Sequence, residues 1–412
     1  MHTNLSIWRH LTAAPHRSLF LAGALQGILT LAWWIYDLAG RYAVFGELSM
    51  WSIAPTWAHA FLMVYGFFPF FIFGFLFTTY PNWLSREKIT SRAYMTTCLS
   101  MTAGVALFYT GLIYSEWIVM LGVIAMLAGL GNAFRVLQRI LIAAKDQDRR
   151  HASVTSAALF MGSLGIAAYL LWLLTDVPFL LDFSRNAGIW FFLMPIVLTV
   201  SHRMIPFFSS RVLENYVLVR PYWILWLMLA CSVAHGFLQL LAITQYLWAV
   251  DLPLALCAFY LSIRWGFLRS FQISLLAVLH ISFAWLSLSM LLYGMQSLVF
   301  MKTDENTWLL GLAPLHALTI GYFSSMVLGM ASRVTIGHSG RPLEMDRFTW
   351  QLFLGFQATA MVRILPEIIP VFGQFTAIFY LLAGLIWLSC FFLWSAHYIP
   401  IYWRPRIDGK SG

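Results

Sequence analysis

Histidines inside long apolar segments are the residues of this chain whose type and position could do chemistry. His59, His235, His280 and His316 each lie in a stretch with few other strongly hydrogen-bonding side chains. A neutral imidazole is a common ligand of haem iron and also suits copper, and two imidazoles on facing helices can hold a haem between them. The alternative for any one of them is a structural hydrogen bond to a neighbouring helix. The pattern therefore predicts cofactor or metal ligands, with a structural role as the alternative.

The elements that must position these histidines are membrane-spanning helices. The chain has 412 residues, of which 61% are hydrophobic and only 10% charged, and its mean hydropathy is +0.77. Those values exclude an ordinary soluble domain, and a helix needs about 20 apolar residues to cross a bilayer. We predict an all-α, polytopic membrane protein: a bundle of twelve transmembrane helices in a single domain, residues 1–412. The predicted spans are 18–39, 56–80, 94–115, 117–143, 153–174, 186–206, 222–241, 247–268, 272–298, 308–332, 350–369 and 372–398.

The distribution of basic residues predicts the orientation of these spans. If both termini are cytoplasmic, all but four of the 25 lysines and arginines fall on the inner side, as the positive-inside rule requires. The four exceptions are Arg41, Arg185, Lys302 and Arg363. Residues 1–17 then form a cytoplasmic N-terminal segment and residues 399–412 a cytoplasmic tail. The basic inner face accounts for the formal charge of +9 without a nucleic-acid partner.

The rise of a helix converts each histidine's position into an approximate depth. We place His59 about one turn, and His316 about two turns, below the outer surface, and His235 about two turns from the outer end of its span. These three could meet in the outer half of the bundle. His280 lies about two turns above the cytoplasmic end of the ninth span, and His202 closes the sixth. We interpret His202, together with His338 and His397 at span ends, as interfacial side chains that can reach toward lipid headgroups.

Cysteines and carboxylates limit the chemistry further. The four cysteines, Cys98, Cys231, Cys257 and Cys390, form no CxxC pair and no CxxCH motif, so any haem is held noncovalently. No Asp or Glu lies near the predicted centre of a span, which is unusual for an ion-coupled transporter. Four carboxylates, Asp37, Glu116, Asp251 and Glu367, are predicted near the outer side. They predict proton entry from that side; the alternative is that they are ordinary interfacial charges.

Small residues predict close helix contacts. Gly23 and Gly27 in the first span, and Ala128, Gly129 and Gly131 in the fourth, form faces on which another helix can pack closely. We find no convincing internal repeat, which also weighs against a transporter.

Four segments together resemble one known family. The segment "PLHALTIGYFSSMVLGMASRVTIGHSGRPL" (314–343) resembles the NnrS family of bacterial membrane proteins, whose members carry a HALT-G stretch and an R-x-x-x-GH-GRP signature. Three others agree in order, "HRSLFLAGALQGILTLAWW" (16–34), "SHRMIPFFSS" (201–210) and "SLLAVLHISFAWL" (274–286). The resemblance implies a twelve-helix cytochrome with haem and, in the family, copper, linked to the handling of nitric oxide.

The resemblance also assigns candidate residues. It carries over His59, His280 and His316, the positions that their depth already selects as embedded. His338 matches the GH-GRP signature and, with Arg333 and Arg341, would bind haem propionates or fix the loop. The candidate metal ligands are His59, His235, His280, His316 and His202.

The chain departs from the family in one stretch. Family members read W-H-A-H-E-M before a G-F pair, whereas Phe61 and Leu62 here stand where the second histidine and the glutamate would be. Either the metal content is altered, or other residues compensate.

Three functions remain open at this point. The leading one is a haem b enzyme of the bacterial inner membrane that consumes nitric oxide by reducing it to N2O, with electrons from a quinol or a cytochrome and copper as a possible second metal. The second is a haem protein that binds nitric oxide or protects against it without turnover. The third is a solute transporter whose histidines are structural, which would be colourless when purified. In each case the lipid bilayer is the partner that surrounds the chain.

Overall fold

The computed structural model describes residues 2–42, 44, 50–302 and 310–409 of the chain. These residues form fourteen helices and no strand. Three of the helices contain a π-helical segment, and the last begins with a 3-10 turn. The helices are α1 His2–Leu11, α2 Pro15–Arg41, α3 Pro55–Trp83, α4 Ser91–Tyr114, α5 Glu116–Ala143, α6 Arg150–Thr175, α7 Pro178–Val212, α8 Tyr222–Leu240, α9 Trp248–Arg264, α10 Phe267–Ser270, α11 Ser274–Phe300, α12 Ala313–Gly337, α13 Arg347–Ile368 and α14 Pro370–Tyr402.

These helices confirm a polytopic, all-α membrane protein. Each of the twelve predicted spans coincides with one helix, and ten of the helices are long and apolar enough to cross a membrane by length and composition. The other two are α9, with 17 residues, and α13, with 22. That these two also cross the bilayer, and that both termini are cytoplasmic, stay predictions.

Several predicted boundaries are wrong by a few residues. The tenth span was predicted from residue 308, but residues 308 and 309 lie outside the described part of the chain and the helix begins at Ala313. Pro314 fits the first turn, where a proline's missing N–H costs no hydrogen bond. The last helix continues to Tyr402, so the first four residues of the predicted tail are helical.

The predicted N-terminal segment also ends earlier than expected, because α2 already begins at Pro15 and buries the Arg17 side chain. A buried guanidinium needs acceptors. One Arg17 nitrogen, Nη1, donates to the carbonyl oxygens of His10, Tyr402 and Arg404, at 3.3, 3.4 and 2.9 Å. These carbonyls lie at or just beyond the C-terminal ends of α1 and α14, where a positive charge is favourable.

The chain divides into two compact units. Unit 1 comprises Met1–Leu193, Met330–Leu343 and Phe391–Gly412, and unit 2 comprises Met194–Gly329 and Glu344–Cys390. The divisions fall inside or beside helices α7, α12 and α14. The prediction of a single domain stays a prediction.

Glycines in unit 1 let α2 approach its neighbours closely, as predicted for Gly23 and Gly27. A Cβ at Gly23 would lie 2.7 Å from the Phe71 ring, and one at Gly27 would meet the Phe391 ring and lie 2.8 Å from the Phe67 ring. Phe391 and Trp394 of α14 stack on each other beside Phe71, which gives this unit an aromatic core.

The contact between α4 and α5 brings backbone against backbone. A Cβ at Gly122 would lie 2.7 Å from the Gly104 carbonyl oxygen and 2.8 Å from the Phe108 nitrogen, and one at Gly129 would lie 2.8 Å from Met101. The packing role predicted for Gly129 is thereby confirmed. The same prediction for Gly131 is wrong, since a Cβ there meets no atom of the described chain within 4 Å.

Unit 2 is tied together by side-chain amide and hydroxyl bonds between helices. The Trp285 indole N–H donates to Gln357 Oε1 at 2.7 Å, and Gln357 Nε2 donates to Ser325 Oγ at 2.9 Å, linking α11, α13 and α12. Ser289 donates to the Pro314 carbonyl at 2.8 Å. Because lipid offers no hydrogen bonds, such contacts satisfy groups that would otherwise be costly to bury.

We expect Gly122→Ala to lower stability by about 1–3 kcal/mol, because the added methyl group has to push rigid backbone apart. Gly131→Ala in the same helix is the matched control, and it should be neutral or stabilising by up to about 1 kcal/mol, since alanine favours helix over glycine. Thermal unfolding of both variants in detergent measures the difference. Equal midpoints would contradict the close α4–α5 contact.

Candidate cofactor site

His59 lies one turn into α3, as predicted, and just before a π-helical segment, Leu62–Phe67. Its ring stacks on the Trp34 indole of α2, with the ring centroids 4.0 Å apart and the planes 6° from parallel, and its Nδ1 is buried. Stacking fixes the orientation of the imidazole within unit 1. A fixed ring orientation is what a ligand for a bound group requires.

His316 occupies a similar local setting in unit 2. It is the fourth residue of α12, so it lies one turn into the helix rather than the predicted two, and the π-helical segment Ala317–Ser324 follows it directly. His316 Nδ1 lies 3.0 Å from the Leu312 carbonyl oxygen, so this nitrogen is the donor. In a neutral ring the lone pair is then on Nε2, the atom that would face a metal.

The two settings share a spacing that sequence reasoning missed. In both, an alanine follows the histidine and a tyrosine stands six residues after it, inside the π-helical segment: Tyr65 after His59 and Tyr322 after His316. Both tyrosines are fully buried, with Tyr65 donating to the Ser184 carbonyl at 2.7 Å and Tyr322 lying 3.1 Å from Ser201 Oγ. π-helical turns are rare and are frequent at functional sites. The signal was present in the sequence as His-Ala-x4-Tyr.

His235 forms a completely buried polar pair with Asp251 in unit 2. Its Nδ1 lies 2.6 Å from Asp251 Oδ1, both side chains are completely buried, and the Tyr293 ring meets the imidazole edge-on at 4.9 Å. A carboxylate that accepts from Nδ1 again leaves the lone pair on Nε2, an arrangement usual for metal-binding histidines. The alternative interpretation of Asp251 as an ordinary interfacial charge is wrong, because burial with His235 removes it from water.

His280 and His202 are both buried and hydrogen-bonded in unit 2. His280, in the second turn of α11 as predicted, has Nε2 3.1 Å from Ser209 Oγ. His202 has Nε2 3.2 Å from the Pro221 carbonyl oxygen, so its Nε2 donates and its Nδ1 carries the lone pair. The interpretation of His202 as an interfacial side chain closing its span is wrong, because α7 continues ten residues beyond it and buries it.

The GH-GRP segment in unit 1 forms a turn that is fixed to the end of the chain. The Ser339 carbonyl accepts from the Ile407 nitrogen at 3.1 Å, and Gly340, at φ +79°, faces Asp408, where a Cβ would lie 2.8 Å from the carboxyl carbon. The His338 ring lies 5.0 Å from the buried ring of His16. These contacts hold the turn against the end of the chain.

The two arginines of this signature differ in burial. Arg333 is buried in α12, whereas Arg341 is partly exposed in the turn. Burial lowers the pKa of His338 below its ordinary value of 6.5, and the nearby cations Arg406, Lys88 and Arg17 lower it further. The binding of haem propionates by this region stays a prediction.

The other three outer carboxylates also lie in helices. Asp37 of α2 pairs with Arg41 at 2.6 Å and accepts from the Trp51 indole at 3.0 Å. Glu367 of α13 pairs with Arg363 at 2.7 Å and accepts from the Tyr380 hydroxyl. Glu116 is in the first turn of α5. Asp37 and Glu367 are thus partnered and largely buried, unlike ordinary interfacial charges.

The donor set suits a group that needs one or two imidazoles. Throughout the described ranges, no three side chains of His, Cys, Asp or Glu are grouped as a metal ion would require. A haem iron needs one or two axial nitrogens from the protein. Single histidines with a defined tautomer therefore suit the role of an axial haem ligand better than the role of one ligand in a metal site built only from side chains.

Comparison with known proteins gave one family match. A family model described as NnrS protein matches residues 10–406, nearly the whole chain. A search of curated proteins found no match.

Asp251→Ala should destabilise the protein by about 3–5 kcal/mol, because it leaves a fully buried imidazole without its acceptor. The matched control is Asp182→Ala, which removes an exposed ion pair with Arg185 and should cost about 1 kcal/mol or less. Both are measured by thermal or chemical unfolding in detergent. Equal losses would mean that the His235–Asp251 pair contributes no more than a surface contact.

The lowered pKa of His338 predicts a pH-dependent stability. The folded protein keeps this imidazole neutral, whereas the unfolded chain takes up a proton below about pH 6.5, so the contribution is complete above that pH and is lost as pH falls through the lowered pKa. His338→Gln should therefore flatten the dependence of the unfolding temperature on pH between about pH 8 and pH 5. An unaltered profile in His338→Gln would refute the assignment.

Proposed function

The chain belongs to the NnrS family, and we propose on that basis that it is a haem b protein of the bacterial inner membrane that consumes nitric oxide by reducing it to N2O. The observation that carries the proposal is the family match over residues 10–406. The embedded histidines support it, because they give the bundle nitrogen ligands where the surrounding lipid has none.

His59 and His316 are the residues that we propose as haem ligands. Each lies one turn into a helix, each has a similar surrounding sequence, and each precedes a π-helical segment. The Nδ1 bond of His316 leaves its Nε2 lone pair for iron. His235, held by Asp251, is the alternative ligand in unit 2, and His280 is a further candidate. The Nε2 bond of His202 to Pro221 favours a structural role for that residue.

The stretch in which this chain departs from the family does not fit a second metal. Phe61, at the position of the family's second histidine, stacks on Phe108 at 5.2 Å and contacts the Tyr169 ring at 4.1 Å. Leu62, at the position of the glutamate, is completely buried. These two side chains replace a ligand and an acid by apolar packing, so a copper ion would need ligands from the remaining histidines.

The proposed reaction joins two nitric oxide molecules, two electrons and two protons into N2O and water. When bound, a haem would supply the redox chemistry, and a quinol or a cytochrome would supply the electrons. The chain itself supplies the apolar surroundings, through which a small uncharged gas can arrive laterally from the lipid. It also has to supply protons, and Asp37, Asp251 and Glu367 are largely buried carboxylates predicted near the outer side.

Purified protein from haem-replete cells should show the absorbance of a b-type haem, oxidised and reduced, with iron in the metal analysis. We expect this absorbance to be lost or reduced in His59→Ala and in His316→Ala, because each variant removes a proposed axial nitrogen within its own unit. His202→Gln is the control, since the Nε2 of His202 already donates to Pro221, and it should retain the signal.

Turnover with a chemical electron donor then separates consumption from binding. A reductase continues to remove nitric oxide, whereas a protein that only binds the gas stops at stoichiometric amounts. A folded preparation with neither porphyrin nor metal would refute the proposal.

A further inference from the structure

One face of α2 carries a line of buried polar side chains in the middle of an apolar helix. Gln26, Thr30, Trp33 and Asp37 are spaced by four, three and four residues, so they lie along one face. Gln26 and Asp37 are eleven residues apart, which corresponds to about 16 Å along the axis. The line therefore runs from the predicted outer end of the span to about its middle.

The hydroxyl of Thr30 is not hydrogen-bonded to the backbone of its own helix. A threonine in a helix can donate to the carbonyl four residues earlier, as Thr78 and Thr110 do at 2.7 and 2.9 Å. Thr30 is completely buried, yet its hydroxyl makes no such bond to the described chain. It faces the Tyr109 hydroxyl of α4 instead.

Gln26 and Tyr109 complete the arrangement at the inner end. The Gln26 side chain is 2% exposed, and neither its Oε1 nor its Nε2 makes a hydrogen bond of good geometry with described residues. The Tyr109 hydroxyl is close enough to interact with Gln26 and Thr30 without reaching that geometry. Gln26 Nε2 lies 3.2 Å from where a Cβ of Gly66 would be, inside the π-helical segment that follows His59.

The outer end of the line leads to a charged pair. The Trp33 indole N–H is buried without an acceptor in the described chain, and its ring contacts both Tyr109 and Trp51, at 6.5 and 5.6 Å. Trp51 in turn donates to Asp37, which is paired with Arg41. Polar side chains therefore follow one another along this face of α2, from Asp37 at the helix end to Gln26.

We propose that Gln26, Thr30, Trp33 and Tyr109 bind a chain of water molecules that leads from Asp37 to the π-helical segment behind His59. Native proteins rarely leave several neighbouring polar groups unsatisfied, and a buried water needs two to four polar partners, which this cluster supplies. Four hydrogen-bonding side chains from two helices supply the polar partners that a buried water requires.

Only the role of the water chain in delivering protons rests on the proposed function. Reduction of nitric oxide consumes protons, and a chain of water from the outer side to the surroundings of His59 would carry them. The hydration itself does not depend on haem or nitric oxide, so the two proposals can fail separately.

Radiolytic hydroxyl-radical labelling of the full-length protein, read by mass spectrometry, tests the water chain. Radicals formed from bound water label side chains that bulk solvent does not reach. Met126 is fully buried, and its Cε lies 3.7 Å from the same Gly66 Cβ position that Gln26 approaches. We expect Met126 to be labelled several-fold faster than Met101, an equally buried methionine about 12 Å along α4 from Tyr109.

Two variants link the label to the proposed residues. Thr30→Val keeps the shape of the side chain and Gln26→Leu nearly its volume, and each should reduce Met126 labelling toward the rate of Met101. Tyr65, whose hydroxyl is bonded to Ser184, serves as the control tyrosine against Tyr109. Equal labelling of Met126 and Met101 in the unaltered protein would overturn the proposal, and so would Met126 labelling that neither variant changes. If the unaltered protein consumes no nitric oxide, the proposed function fails while the labelling result stands.

Discussion

The constraint on which this structure depends is that a polar group inside a bilayer has to find its partner within the protein. Arg17 illustrates it, since a buried guanidinium is tolerable only because three carbonyl oxygens accept from one of its nitrogens. The same requirement fixes the embedded histidines. Once Nδ1 of an imidazole is engaged by a carbonyl or a carboxylate, the tautomer is set and the other nitrogen is the one left with a lone pair.

This constraint distinguishes histidines that sequence treats alike. His316 and His202 are both embedded imidazoles bonded to backbone carbonyls, but one uses Nδ1 and the other Nε2. Only the first presents Nε2, the nitrogen at the outer end of the ring, as an acceptor. His235 also uses Nδ1, and its acceptor is the buried carboxylate of Asp251 rather than a backbone carbonyl. The direction of one hydrogen bond therefore separates candidate ligands from structural side chains.

Hydropathy was enough to predict the helices, because each span has to fill the thickness of the bilayer with apolar residues. Hydropathy was a poorer guide to the environment of polar residues, because tertiary contacts determine which of them are buried. Arg17 lies in the predicted N-terminal segment, yet two of its acceptors, the carbonyl oxygens of Tyr402 and Arg404, lie 385 and 387 residues later in the chain. Asp251 read as an interfacial charge because its partner, His235, lies on a neighbouring helix and no local pattern connects the two. The π-helical segments were not predicted for another reason. An extra residue in a helical turn leaves the hydropathy of the segment unchanged.

Those π-helical segments join the fold to the proposed site. An extra residue in a turn shifts every side chain beyond it around the axis, and it interrupts the regular hydrogen-bond ladder just after His59 and His316. In both places a tyrosine six residues after the histidine anchors the widened turn through its hydroxyl. The histidine is then held from both sides, by a proline in the first turn of the helix and by an anchored turn after it. A rigid helix start of this kind is what a ligand in lipid needs, because no loop can hold it there.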